Sequence, residues 1–161
     1  PKQKRPAACV EREESPGFSR GEVNMTVLLD TNVLIDAAVV SRSYHGTAVR
    51  LIAAAERDTI DGLVAPTSIA TCWYVAHERE DTDPRPLFDL LADVMRFAPM
   101  GRSPLRTALQ NPGTDDFEDS YLAAAGTSAS ASAIATRNES DFVSTTLTPY
   151  HPLDLVEMLG K

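Results

Sequence analysis

The chain has little cysteine, little histidine and, between residues 25 and 160, no lysine. Its two cysteines, Cys9 in a polar leader and Cys72 in an apolar helical pattern, make neither a disulfide framework nor a zinc site, so reduced thiols are expected. No run approaches the ~18 consecutive apolar residues that a membrane span needs, and the opening residues do not resemble a secretion signal. The cytoplasm is therefore the expected compartment. The missing lysine bears on one reaction class, phosphoryl transfer through an aspartyl intermediate. That chemistry also wants a nucleophilic aspartate after the first strand, but with a second carboxylate two residues on and a lysine late in the domain. Here position 32 is Asn32, and no lysine follows before residue 161.

Positive charge is short as well. The net charge is −8, and residues 1–24 hold five Lys/Arg and four Glu, which leaves ten basic against nineteen acidic groups in the rest. Such a domain approaches a polyanion only if its acids cluster and are neutralised by cations, or if its arginines are segregated on one face.

What the chain does have is a run that delivers a carboxylate into a turn: Val27-Leu28-Leu29-Asp30-Thr31-Asn32-Val33-Leu34-Ile35-Asp36. Val27 to Leu29 reads as a buried parallel strand with Asp30 at its carboxyl end, where open α/β sheets bind ligands. Val33, Leu34, Ile35 and Ala38 then space a helix. Asp30 has two readings at this point, a helix cap worth about 1 kcal/mol or a metal ligand or nucleophile.

The length of 161 residues supports one domain with a substantial core. Residues 1–24, rich in Pro, Arg, Glu and Gly, read as a disordered leader, with a native start expected at Met25 and a single domain over 25–161. A helical stripe is expected from Ala48 to about Arg57, and a second strand at Leu63–Ala65. Ser68 is expected to cap a helix with Ile69, Cys72, Trp73 and Ala76 on its apolar face. Glu78–Pro84 reads as a solvated turn, Pro86 as opening a helix through Arg96, and Phe97–Met100 as a weak third strand. Ser103-Pro104 starts a short helix to Gln110. Beyond the break at Asn111-Pro112-Gly113 comes a helix over 115–126, then a fourth strand at Ala133–Thr136. A last strand at Thr146–Thr148 precedes a terminal helix. Strands alternating with helices imply an α/β fold with a mainly parallel sheet covered on both faces.

Acids recur at three further points. On the helix over 115–126, Asp115 with Glu118 matches a capping box, while Phe117, Tyr121 and Leu122 point to the core. Asp116 and Asp119 remain as a like-charged pair on one face. Asp141 follows the fourth strand, which a doubly wound sheet sets beside the first at its switch point. Asp30, Asp116, Asp119 and Asp141 are thus expected to converge, and a hard cation such as Mg²⁺ or Mn²⁺ is the usual remedy for such repulsion.

The strings VLLDTNVLID, DDFEDSYLAAAG and AIATRNESDF, in this order and spacing, resemble the PIN domain, in particular the branch containing VapC-type toxins, over about residues 25–150. The resemblance implies a three-layer α/β/α sandwich with a central parallel sheet and an Mg²⁺- or Mn²⁺-dependent endoribonuclease, the toxin of a toxin-antitoxin pair. It also implies a homodimer neutralised by a VapB-type antitoxin. By position it makes Asp30, Asp116, Asp119 and Asp141 the catalytic acids, with Asp30, Asp119 and Asp141 on the metal and Asn32 and Thr136 as polar support. The family's acid on the helix after the second strand is replaced here by Thr71, which leaves a catalytically weak or inactive binder of RNA or protein as the alternative. Among Arg42, Arg50, Arg102, Arg106 and Arg137, the last, beside the third motif, is the first choice for holding RNA backbone.

Overall fold

The apolar runs become strands because each can be covered on both faces. A computed structural model of the protein describes residues 25–110 and 115–160. The leader expected over 1–24 and the break at Asn111-Pro112-Gly113 lie outside these residues. In chain order the elements are β1 (Thr26–Leu29), α1 (Thr31–Ala38), α2 (His45–Glu56), β2 (Asp61–Val64) and α3 (Pro66–Trp73), which runs into a π-helical turn (Tyr74–Arg79). There follow α4 (Arg85–Val94), β3 (Arg96–Phe97), α5 (Arg102–Gln110), α6 (Phe117–Ser128) and β4 (Ala133–Ala135). A single 3₁₀ turn (Glu139–Phe142), β5 (Thr148–Tyr150) and α7 (Pro152–Leu159) complete the described chain.

The five strands form one sheet in the order β3-β2-β1-β4-β5, every pair parallel. Alternation along β1 divides the core. Val27 and Leu29 pack with residues of α1, α2, α4 and α7, while Leu28 joins Leu63 and Ile134 against Leu122 and Ala125 of α6. The result is the expected three-layer α/β/α arrangement, each fully buried leucine contributing roughly 1.5–3 kcal/mol. Gly126, within α6, marks how closely the upper layer sits: a Cβ there would lie 2.8 Å from Leu28 Cδ2. Among the described residues no helix is long and apolar enough to cross a membrane.

Several local expectations are corrected. Pro66, lacking an N–H, opens α3, so Ser68 falls inside the first turn and is buried, accepting a hydrogen bond from Thr31 Oγ1 at 2.8 Å. Trp73 lies at the edge, 37% exposed, its ring against His77 and Phe88 instead of the sheet. Glu78 and Arg79 belong to the π-helical turn, so the solvated turn is shorter than expected. The helix opened before Pro86 stops at Val94 because Met95, extended and buried, turns inward over Gly62, and the third strand is Arg96–Phe97. β5 lies two residues later than expected and contains Pro149, tolerated because this is an edge strand. Phe117 is half exposed and not part of the core.

Candidate active site

The strand order places β1 beside β4 at the centre of the sheet, so the connections leaving their carboxyl ends run in opposite directions and open a crevice there. Asp30 follows β1 directly, and its backbone N–H still bonds to the Ala135 carbonyl of β4 at 3.0 Å. Its φ of −68° and ψ of 156° are extended, which makes it the N-cap of α1. The cap reading of Asp30 is thus met, and the same carboxylate lies at the end of β1 where the crevice opens.

Three donors fix it. Oδ1 accepts from the Thr31 N–H at 2.6 Å, while Oδ2 accepts from Asn32 Nδ2 at 2.6 Å and from Thr136 Oγ1 at 2.7 Å. Asn32 and Thr136 are themselves tied down. Asn32 Oδ1 accepts from the Arg137 N–H at 3.3 Å, and Thr136 Oγ1 accepts from the Asn138 N–H at 3.0 Å. Both partners are also tied to backbone at the end of β4, and Asn32 Nδ2 reaches Thr136 Oγ1 at 3.4 Å, so the Asp30 carboxylate has one orientation. Asp30 is only 5% exposed. Burial raises its pKa, and the hydrogen bonds from Thr136 and Thr31 oppose that rise without cancelling it.

The second contribution comes from the start of α6. Here Asp116, not Asp115, is the N-cap: its backbone is extended, and Oδ1 accepts from the N–H groups of Glu118 at 2.7 Å and Asp119 at 3.3 Å. The capping box expected for Asp115 with Glu118 is thus displaced by one residue. The displacement changes the roles, since Asp116 is engaged with its own helix and Glu118 joins the cluster. Asp119 is pushed up to about 6, by partial burial first and then by the charges of Asp30, Asp116, Asp141 and Glu118. Asp141 arrives on the 3₁₀ turn, which the fully buried Phe142 anchors.

The four expected acids therefore share one electrostatic neighbourhood, with Glu118 as a fifth that sequence reasoning assigned to a cap. Among the described residues, no group of three or more His, Cys, Asp or Glu side chains closes into a set that could hold a metal ion as arranged. In kind the donors fit a hard divalent ion, since all are carboxylate oxygens and their mutual repulsion is what such an ion relieves.

Arg137 is already engaged. Its Nε lies 3.0 Å from Asp36 Oδ2, an ion pair without hydrogen-bond alignment, and its guanidinium stands 5.5 Å over the Tyr44 ring. Arg42 Nε holds the other oxygen of Asp36 at 2.7 Å. Asp36, one turn into α1 and buried, is thus the carboxylate on which two arginines converge. Its spacing from Asp30 did not single it out, because both partners come from other segments.

A family model described as PIN domain matches residues 26–140. Among solved structures, that of FitAcB from Neisseria gonorrhoeae is similar at a TM-score of 0.50 and 20% identity, covering 79% of this chain and 98% of that one. At that identity the likeness concerns the fold. No curated protein matches the chain.

Proposed function

The chain belongs to the PIN-domain family, and from that premise we propose that it is a divalent-metal-dependent endoribonuclease, the toxin of a VapBC-type pair acting in the cytoplasm. The observation that carries this reading is the Asp30 carboxylate, buried at the end of β1 and held by Thr31, Asn32 and Thr136, with Asp119 raised to about 6 by burial and then by the charges of Asp30, Asp116, Asp141 and Glu118. Several carboxylates bearing on one partly buried aspartate at the switch point of an α/β sheet are a site held together at a cost to stability.

In this reading Asp30, Asp119 and Asp141 would hold Mg²⁺ or Mn²⁺, and Asp116, which caps α6, would position a second ion or the water. When bound, such an ion supplies an activated water and stabilises charge on the phosphate. The chain's own part is positional. Asn32 and Thr136 keep Asp30 pointed at the crevice, so its charge needs little reorganisation during reaction. Arg137, held by Asp36, contributes positive charge beside Asp30 and offsets part of the repulsion an RNA backbone meets. A homodimer and a VapB-type antitoxin partner complete the proposal, on family resemblance alone.

The test is cleavage of structured RNA by the purified protein with Mn²⁺. The expected result is cutting that EDTA stops and Asp30→Asn lowers by at least about a thousandfold, a loss of roughly 4 kcal/mol of transition-state stabilisation. Undiminished cutting by Asp30→Asn overturns the site. A second reading, a binder of RNA or protein without turnover, is favoured by the absence of a closed ligand group among the described residues and by Thr71, half-buried on α3 in place of an acid. RNA binding without cleavage under any divalent ion selects it.

A further inference from the structure

We propose that Asp36 and Tyr44 are positioning residues for Arg137, holding its guanidinium by the Nε side so that both Nη groups stand ready as a two-pronged grip for one backbone phosphate of an RNA beside Asp30. That the RNA is a substrate rests on the ribonuclease reading above; the grip itself does not.

The two arginines around Asp36 are unequal. Arg42 is spent, since its Nε donates to Asp36 Oδ1 at 2.7 Å and its Nη1 to Glu80 Oε1 at 3.4 Å. Arg137 reaches the same carboxylate only through Nε, 3.0 Å from Oδ2, and its side chain stays 30% exposed. Nε is buried, so that exposure belongs to the far end of the side chain. Among the described residues neither Nη1 nor Nη2 has a hydrogen-bond partner, and neither is a buried atom. A guanidinium matches a phosphate through paired N–H donors, and these are the donors left unspent.

The far end is also kept in place. The loop that supplies Arg42 supplies Tyr44, whose ring centroid lies 5.5 Å from the Arg137 guanidinium and is met edge-on by the His151 ring at 5.4 Å. The backbone beneath is fixed by the bond from the Arg137 N–H to Asn32 Oδ1 at 3.3 Å. Thr136, one residue earlier, donates to Asp30, and the Arg137 charge acts on Asp30 in turn. An arginine loses much rotamer freedom when it grips a ligand; here folding imposes that loss beforehand, which strengthens the grip.

The experiment measures, by fluorescence anisotropy at low salt, how the metal-free full chain binds a short labelled single-stranded RNA. Arg137→Lys keeps the charge and loses the paired donors, and is expected to weaken binding roughly tenfold. Tyr44→Leu changes no charge and is expected to weaken it about threefold, while Tyr44→Phe keeps the ring and binds as the wild type. Asp36→Asn separates positioning from mere burial by its sign. One negative charge fewer should by itself tighten a polyanion, whereas loss of the hold on Arg137 is expected to weaken binding about fivefold. If Asp36→Asn does not fold, the tyrosine pair decides. Tighter binding by Asp36→Asn, or wild-type binding by Tyr44→Leu, overturns the positioning role. Wild-type binding by Arg137→Lys, or no RNA binding at all, overturns the grip. RNA held through Arg137 by a protein that cuts none sustains the grip and sinks the ribonuclease reading instead.

Discussion

Asp30 carries three hydrogen bonds and still has a raised pKa, because burial at 5% exposure costs its charge more than the donors return. Removing one donor sharpens that imbalance. Thr136→Val keeps the shape and loses the hydroxyl, so it is expected to lower stability by about 2 kcal/mol at neutral pH, measured by urea unfolding. Asp119 makes a pH prediction. Its folded pKa of about 6 lies above the reference 3.8, so its contribution favours folding fully below 3.8 and is lost as pH rises through about 6. Metal-free protein should therefore gain stability as pH falls from 7 towards 5, and Asp119→Asn should flatten that gain. The same substitution should stabilise the metal-free protein at pH 7 by about 1 kcal/mol, the shift being discounted because the group is partly solvent-exposed. At this scale the sequence made Asp30 legible, since a strand end and a helix start fall on one residue. It did not separate the roles of Asp115, Asp116 and Glu118. A helix start displaced by one residue exchanges cap and cluster, and a motif cannot fix that phase.

Among elements, α1 does more than follow β1. Its first residue is capped by Asp30, and one turn later Asp36 holds Arg42 and Arg137, so a single helix organises both the acidic crevice and the cationic group beside it. Asp36→Asn leaves two guanidiniums without their shared carboxylate; the expected cost is about 3 kcal/mol, read from unfolding midpoints of the two proteins at equal slope. An unchanged midpoint would show that the two arginines find water as good a partner. Helix α6 likewise joins two tasks, since the cap formed by Asp116 fixes where Asp119 emerges. Element order was legible because apolar runs and helical stripes alternate through the whole domain. The ends of elements were not. Met95 turns inward at Gly62, Pro149 sits in an edge strand, and Trp73 packs sideways on Phe88, each decided by a partner remote in sequence.

For the molecule as a whole, the sheet order β3-β2-β1-β4-β5 is what brings residues more than 80 positions apart to one crevice. That convergence could be anticipated from alternation of strands and helices together with the rule that parallel crossovers reverse direction at a switch point. The pairing of Arg137 with Asp36 could not, since it depends on side-chain reach across 101 positions. A net charge of −8 opposes approach of a polyanion, and the carboxylates that bear on Asp119 add to that opposition where the sheet opens. The most direct measurement is a titration of Mn²⁺ into the protein followed by electron paramagnetic resonance, alongside Asp30→Asn and Asp119→Asn. The account predicts saturable binding by the wild type that each substitution weakens at least about tenfold. Equal Mn²⁺ binding by all three proteins would contradict it.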